Sequence, residues 1–287
     1  MLIASFCWGL TYIWYKIVYI YYNPITTVFL RLVISSVMLF IFVKVLKKQQ
    51  KINPKDYKLF LLAAFFEPFC YFLGESFGLK YVSPTIGAVI IATIPVFTPV
   101  LAYFTLKERL SGLNIFGILI SFFGIVIILL GKNFSVRVSL TGVALLFFAV
   151  VSALLYSVAI KKLSHKYSGV TIVTTQNIIA SVYFLPLFLV FDFNQFIQVV
   201  PNFELISNIL FLAVFGSAFP FVLYIAVVKE LGVSKANILA NFVPVFTAIF
   251  SYFILSEMFN LNKILGIIIV LTGVFLSQLN KFRKKTK

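Results

Sequence analysis

The chain is poor in almost everything that aqueous chemistry uses. Of its 287 residues only 11% are charged, eight are acidic, two are cysteine and one is histidine. Without a Cys/His cluster there is no metal motif, and the HExxH, GxSxG and phosphate-loop patterns are missing as well. No catalytic residue, metal site or cofactor is therefore expected. An ATP-binding domain is missing too, so active movement of a solute would have to draw on an ion or solute gradient. His165 falls in a loop among lysines and reads as solvated. Cys7 and Cys70 fall inside apolar runs, where a buried thiol is the simplest reading and says nothing of redox compartment. No Lys or Arg precedes the opening apolar run, so a signal peptide is not expected.

What the chain does have is apolar length. Hydrophobic residues make up 62% of it, more than a soluble domain carries. Runs of about twenty recur, each long enough to cross a hydrocarbon core of roughly 30 Å. Ten spans are expected, near 1–20, 25–46, 58–80, 84–106, 112–131, 139–160, 170–191, 205–227, 234–255 and 262–280. Turn signals such as Asn23-Pro24, Ser83-Pro84 and Ser111-Gly112 mark the joins. Ser83 is expected to cap the fourth span, with Pro84 at its first position, and Ser234 to cap the ninth. The first span is short against its repeat partner, so a few further residues are expected to precede it.

A net charge of +16 invites a nucleic-acid reading, but the lysines and arginines sit in short joins, where they set orientation in a membrane. No nucleic-acid partner is expected. With the N-terminus in the cytoplasm, eighteen basic residues fall on the inner side. Only Lys80, Lys132, Arg137 and Lys263 fall on the outer. Both ends are thus expected to be cytoplasmic, in a plasma membrane such as a bacterial inner membrane, with the lipid bilayer as surroundings.

Residues 94–108, IPVFTPVLAYFTLKE, recur at 243–257 as VPVFTAIFSYFILSE, with eight of fifteen positions identical. The shift of 149 carries Gly117 onto Gly266 and Gly124 onto Gly273. The chain therefore reads as two repeats, 1–132 and 138–281, with a basic cytoplasmic tail at 282–287. Five spans per repeat is an odd number, so the second repeat must be inverted relative to the first. That puts Glu108 at the inner surface and Glu257 at the outer, as markers of the helix ends. The expected fold is an all-α polytopic membrane protein of ten transmembrane helices in two inverted five-helix repeats. Inverted repeats around a midplane site are a recurrent plan of secondary transporters.

Several local patterns resemble one family. Trp8-Gly9 on the first span is followed by a lysine, and Pro24 is followed seven residues later by Arg31. Gly78-Leu79-Lys80-Tyr81-Val82-Ser83 closes the third span. A Pro-centred fourth span ends in Lys107-Glu108, and Gly117 and Gly124 mark the fifth. Together these resemble the EamA family of the drug/metabolite transporter superfamily, across the whole chain. The resemblance implies movement, often outward, of amino acids, other metabolites or drugs. It also implies a central cavity among spans one to four and six to nine, with five and ten peripheral. The second half departs from the pattern: Gln176 stands where the first half has Arg31, and Ala153 where it has Gly9.

Charges inside the hydrocarbon zone cost some ~2.5–3.5 kcal/mol each and need a reason. Helix rise places Lys16, Arg31 and Glu75 in one layer of the outer half. Glu75 is expected either to pair with Arg31 or Lys16 as a structural ion pair or to touch substrate. Glu67 sits near the midplane with no cation at its depth. Burial disfavours a charged carboxylate, so Glu67 is a candidate proton carrier, with Pro68 loosening the helix beside it. A protonated Glu bonded to a neighbouring helix is the plainer alternative.

Pro95 and Pro244, at related positions, interrupt the fourth and ninth spans and point to a cavity wall. Asn237 and Asn241, four apart, are expected to share a face of the ninth span. Tyr12 and Tyr156, related by the repeat, and Tyr71 are further candidates for substrate contact. Interhelical hydrogen bonding is the commoner use of such Asn residues, and aromatic packing that of most Tyr. Gly74-xxx-Gly78 and Gly117-xxx-Ser121 read as close-packing faces, the latter also available to a homodimer. The expected function is a secondary transporter, an exporter of small organic solutes working by alternating access. The alternatives are a membrane-embedded enzyme acting on lipid-linked substrates, a lipid flippase and a noncatalytic assembly subunit.

Overall fold

The computed structural model describes residues 1–45, 50–106, 111–129 and 138–283. Glu108, Lys107, Arg109, Lys132, Arg137 and the tail beyond residue 283 lie outside them. The described residues contain no β-strand. In chain order the helices are α1 (Leu2–Val18), α2 (Pro24–Val45), α3 (Tyr57–Ala64), α4 (Tyr71–Tyr81) and α5 (Pro84–Ile91). There follow α6 (Ile94–Leu106), α7 (Gly112–Leu129), α8 (Leu140–Lys166), α9 (Gly169–Leu187) and α10 (Phe193–Gln198). The last are α11 (Phe203–Phe211), α12 (Phe219–Leu231), α13 (Val233–Ala240), α14 (Val243–Leu255) and α15 (Leu261–Arg283). Eight stretches among the described residues are long and apolar enough to cross a membrane, and Leu2–Val18 and Val243–Leu255 are shorter apolar helices. The protein is a multi-pass, all-helical membrane protein.

Local chemistry sets the helix ends. Pro24 and Pro84 open α2 and α5, where a missing N–H costs nothing. Ser139 and Ser168 accept from Gly142 N and Thr171 N to cap α8 and α9. Gly232, at φ 82°, stops α12, a backbone angle open to glycine. Two expected caps differ. Ser83 holds the N-cap position of α5, but its hydroxyl bonds no helix N–H; it faces Lys263 Nζ at 3.4 Å instead. α13 starts at Val233, one residue before the expected cap Ser234, because Gly232 already ends the preceding helix. His165 lies in the last turn of α8, not in a loop, and is exposed there.

Several long stretches are discontinuous among the described residues, and four of the breaks lie beside or just ahead of prolines. α3 and α4 are joined through a wide turn at Phe65–Cys70, in which Glu67 is extended at φ −148°, ψ 118°. The ring of Pro68 drives the residue before it out of the helical region. α11 and α12 are joined through Leu212–Ala218 just ahead of Pro220. α5 gives way to α6 at residues 92–93, ahead of Pro95, and α13 to α14 at 241–242, ahead of Pro244. These last two breaks are one sequence-repeat shift apart.

α7 and α15 pack on each other antiparallel. A Cβ on Gly117 would lie 2.6 Å from the Gly273 carbonyl oxygen, and one on Gly273 would lie 2.7 Å from that of Gly117. Gly124 and Gly266 repeat the reciprocity at 2.9 and 2.8 Å. The glycine faces are thus spent within the chain. The outer sides of this pair, with Leu119, Phe122, Phe123, Ile268 and Phe275, are exposed and suit lipid contact. Gly74 likewise packs on α8, against Leu145 O and Ala149 N. Cys7 and Cys70 are buried free thiols. The remaining helices, away from this peripheral pair, enclose the interior: α2 packs on α9, α4 on α8, and α1 on α14.

Candidate functional site

The interrupted helices surround a cavity with about 830 Å³ of open space, its mouth included. Its wall includes Tyr12, Arg31, Glu67, Tyr71, Glu75, Asn237 and Asn241, so the folded chain brings seven of the eight expected site residues together. Tyr156 is elsewhere. It lines a side pocket of about 200 Å³ with Gln176, Asn177 and Pro68, and its hydroxyl donates to Gln176 Oε1 at 3.3 Å. Glu67 and Phe221 line both spaces and form the partition between them.

The expected ion pair is not there. Among the described residues the close ion pairs are Lys166–Asp56 and Lys263–Glu257. Glu75 Oε1 accepts from the hydroxyls of Tyr71 at 2.8 Å and Tyr12 at 3.3 Å. Arg31 donates from Nε to Ser217 Oγ at 2.6 Å and from Nη1 to the Tyr15 hydroxyl. Its guanidinium lies over the rings of Phe72 at 4.4 Å and Tyr15 at 5.1 Å. Lys16 Nζ donates to the Leu79 carbonyl. Equal depth along the helices was the right layer, but phenols and a serine, at the right angular positions, satisfy the charges in place of one another. Hydrogen bonds to an ionised group are worth about 1.5–3 kcal/mol each, which makes such substitution affordable in a low-dielectric interior.

Glu67 differs from its neighbours. It is 8% exposed, and its carboxyl has no hydrogen-bond partner among the described residues. The extended backbone ahead of Pro68 carries it off the helix and toward the cavity. Asn241 also departs from expectation. It does not share a helix face with Asn237, because it stands in the break between α13 and α14. Its Oδ1 is buried without a partner. Asn237 Oδ1 accepts from the Tyr224 hydroxyl at 2.9 Å.

An aromatic corner completes the wall. The Trp8 ring meets Phe221 edge-on at 5.3 Å and lies 5.9 Å from Tyr224, while Phe72 stands 6.2 Å from Phe221. Phe72, Phe221, Ser217 and Tyr15 were not singled out from sequence. With 35 Phe and 14 Tyr in the chain, no composition signal separates a cavity ring from a packing ring.

At the other end of α14, Glu257 accepts from Thr85 Oγ1 at 2.7 Å, from Ser251 Oγ and from Lys263 Nζ. This ties the start of α5 to α14 and α15. As expected of a helix-end marker, it lies outside the cavity wall.

The EamA-like transporter family matches residues 1–130 and 140–279, once for each half. The chain is similar to the uncharacterized transporter YetK of Bacillus subtilis, 27% identical over 88% of this chain and 77% of that one. It is similar to YoaV of the same organism, also named an uncharacterized transporter, at 24% over 98% and 96%. An uncharacterized transporter of Archaeoglobus fulgidus is 25% identical over 94% of each chain. A solved crystal structure superposes with a TM-score of 0.71 at 15% identity, covering 98% of this chain and 96% of that one, and so shares the fold. With both halves matched and both contributing to the cavity wall, this chain belongs to the EamA-like transporter family.

Proposed function

We propose that the protein is a secondary transporter that exports small organic solutes, such as amino acids, other metabolites or drugs, by alternating access. In this reading ten helices form two inverted five-helix repeats, residues 1–132 and 138–281, in a plasma membrane with both termini cytoplasmic. The observation that carries it is the cavity enclosed by helices broken at repeat-related positions, 92–93 and 241–242. Breaks of this kind leave backbone groups free where substrate binds and let one half rock on the other. The antiparallel, reciprocal packing of α7 on α15 supports the inverted arrangement, since a twofold axis in the membrane plane generates that pattern.

Glu67 is the proton-coupling group in this proposal. It faces the cavity without a hydrogen-bond partner. The charged and titratable groups around it are Glu75 and Tyr71 on α4, Tyr12 on α1, Arg31 on α2, Tyr156 on α8 and Tyr224 on α12. A carboxyl so placed exchanges its proton with whichever side the cavity faces. The test is a thermal-shift ligand screen on purified protein, followed by flux of the hits in proteoliposomes under imposed pH and solute gradients. Export-competent flux of at least one hit is expected. If no small solute moves under any gradient, the transporter reading fails.

A further inference from the structure

The polar groups of the cavity divide into those already satisfied and those left over. Glu75 holds two phenol hydroxyls. Arg31 is 1% exposed, holds Ser217 and Tyr15, and lies against two ring faces. Two groups of wall residues are left over among the described residues, the Glu67 carboxyl, which makes no hydrogen bond there, and Asn241 Oδ1, which is buried without a partner; both are acceptors. A ligand that completes them must bring donors and, opposite a carboxylate, positive charge.

The apolar wall makes the same demand. Phe221 lines the spaces on both sides of the partition, as Glu67 does; Trp8 stands edge-on against its ring, and Tyr224 lies near Trp8. Ring faces attract a cation more strongly where water is excluded. Arg31, the guanidinium on the wall, is already held by Ser217 and Tyr15. An anion would meet Glu67 with its counter-charge already committed. A zwitterion would have to draw Arg31 away from Ser217 and Tyr15 to seat its carboxylate.

We infer that the solute carried is a monovalent organic amine with a planar apolar body. Its ammonium is held at Glu67 and Asn241 and its body lies in the corner of Trp8, Phe221 and Tyr224. This rests on the transporter reading for the word carried, but the binding claim stands apart from it.

A matched series tests it: 2-phenylethylammonium, phenylalanine and 3-phenylpropionate share one ring and one tether and differ in charge. Purified protein in detergent is titrated with each at neutral pH, with the unfolding midpoint and the apparent Kd as readouts. The cation is expected to bind at least tenfold more tightly than the other two. Glu67→Gln, with an unliganded midpoint close to wild type, is expected to lose that preference, and Phe221→Leu to weaken the cation at least threefold. Equal or tighter binding of phenylalanine or 3-phenylpropionate overturns the inference. So does binding by none of the three, or an undiminished preference in Glu67→Gln. Proteoliposome flux separates the two readings. A cation that binds and never moves leaves the ligand class standing and sinks transport. Flux of phenylalanine without cation binding does the reverse.

Discussion

Ser121 Oγ donates to the carbonyl oxygen of Val270 at 3.2 Å, and the two residues are 149 positions apart, the same shift that relates the two halves in sequence. In the inverted arrangement proposed above, a residue bonded to its own repeat mate would lie beside the axis that exchanges the halves. On one side of this bond Gly117 meets Gly273, and on the other Gly124 meets Gly266, each contact being the other's image. The α7/α15 crossing is therefore closed by backbone against backbone.

Such a crossing has no room for a side chain. A Cβ at Gly124 would lie 2.7 Å from Val270 N and 2.9 Å from Gly266 O, and neither backbone atom can swing aside. Overpacking costs about 1–3 kcal/mol, more than the roughly 1 kcal/mol that helix propensity returns. Gly124→Ala and Gly273→Ala are each expected to lower stability by about 1–2 kcal/mol net, read as thermal unfolding in detergent. Gly112→Ala, where a Cβ meets nothing within 4 Å, is the control and should be neutral or slightly stabilising. Tolerance of alanine at both tight positions would contradict the close crossing.

Glu67→Gln removes a cavity carboxyl that makes no hydrogen bond among the described residues while keeping its shape. Wild-type export should rise when the outer bath is made acidic, because a proton entering on Glu67 drives solute out. The variant is expected to show at least tenfold lower flux, with no response to the imposed gradient. Flux in proteoliposomes at matched and opposed pH measures both. A gradient response equal to wild type in Glu67→Gln would remove Glu67 from coupling.

The parts of this site that sequence made legible are those with a covalent cause. Pro68, Pro95 and Pro244 announce breaks because a ring without an N–H acts on its own chain wherever it stands. The seven-residue spacing of Gly117 and Gly124, repeated at Gly266 and Gly273, marks one helix face for the same reason of local geometry. The partner of Glu75 was not legible. Helix rise gives depth, whereas the choice between Arg31 and the hydroxyls of Tyr12 and Tyr71 depends on how each helix is rotated about its axis. Asn241 was misplaced because a four-residue spacing implies a shared face only along a continuous helix, and α13 stops at Ala240.

Glu257 and Lys263 form the second tied corner of the molecule, with side chains only 10% and 12% exposed. Removing one partner strands the other's charge near Thr85 and Ser251, at a cost of about 1–3 kcal/mol. Glu257→Met or Lys263→Met alone should therefore destabilise by that amount, and the double variant Glu257→Met/Lys263→Met by less than the sum. A double-mutant cycle on thermal unfolding decides it; strictly additive losses would mean that the pair is not coupled.

Arg31 and Gln176 occupy related positions of the two halves in sequence, and each bonds a tyrosine of another helix: Arg31 to Tyr15, and Gln176 to Tyr156. Arg31 also bonds Ser217 and lies over the Phe72 ring, so its planar fork matters as well as its charge. Lysine keeps the charge but cannot donate in two fixed directions or stack its head on a ring. Arg31→Lys is expected to lose about 2–3 kcal/mol of stability, because a buried ammonium would leave Ser217 or Tyr15 unserved. Arg31→Gln copies the residue that the second half already uses beside a tyrosine, and should fold with the smaller loss of the two. Thermal unfolding of both variants ranks them. If lysine proves the better substitute, the positive charge alone is what this position requires, and the stacked, two-directional geometry is incidental.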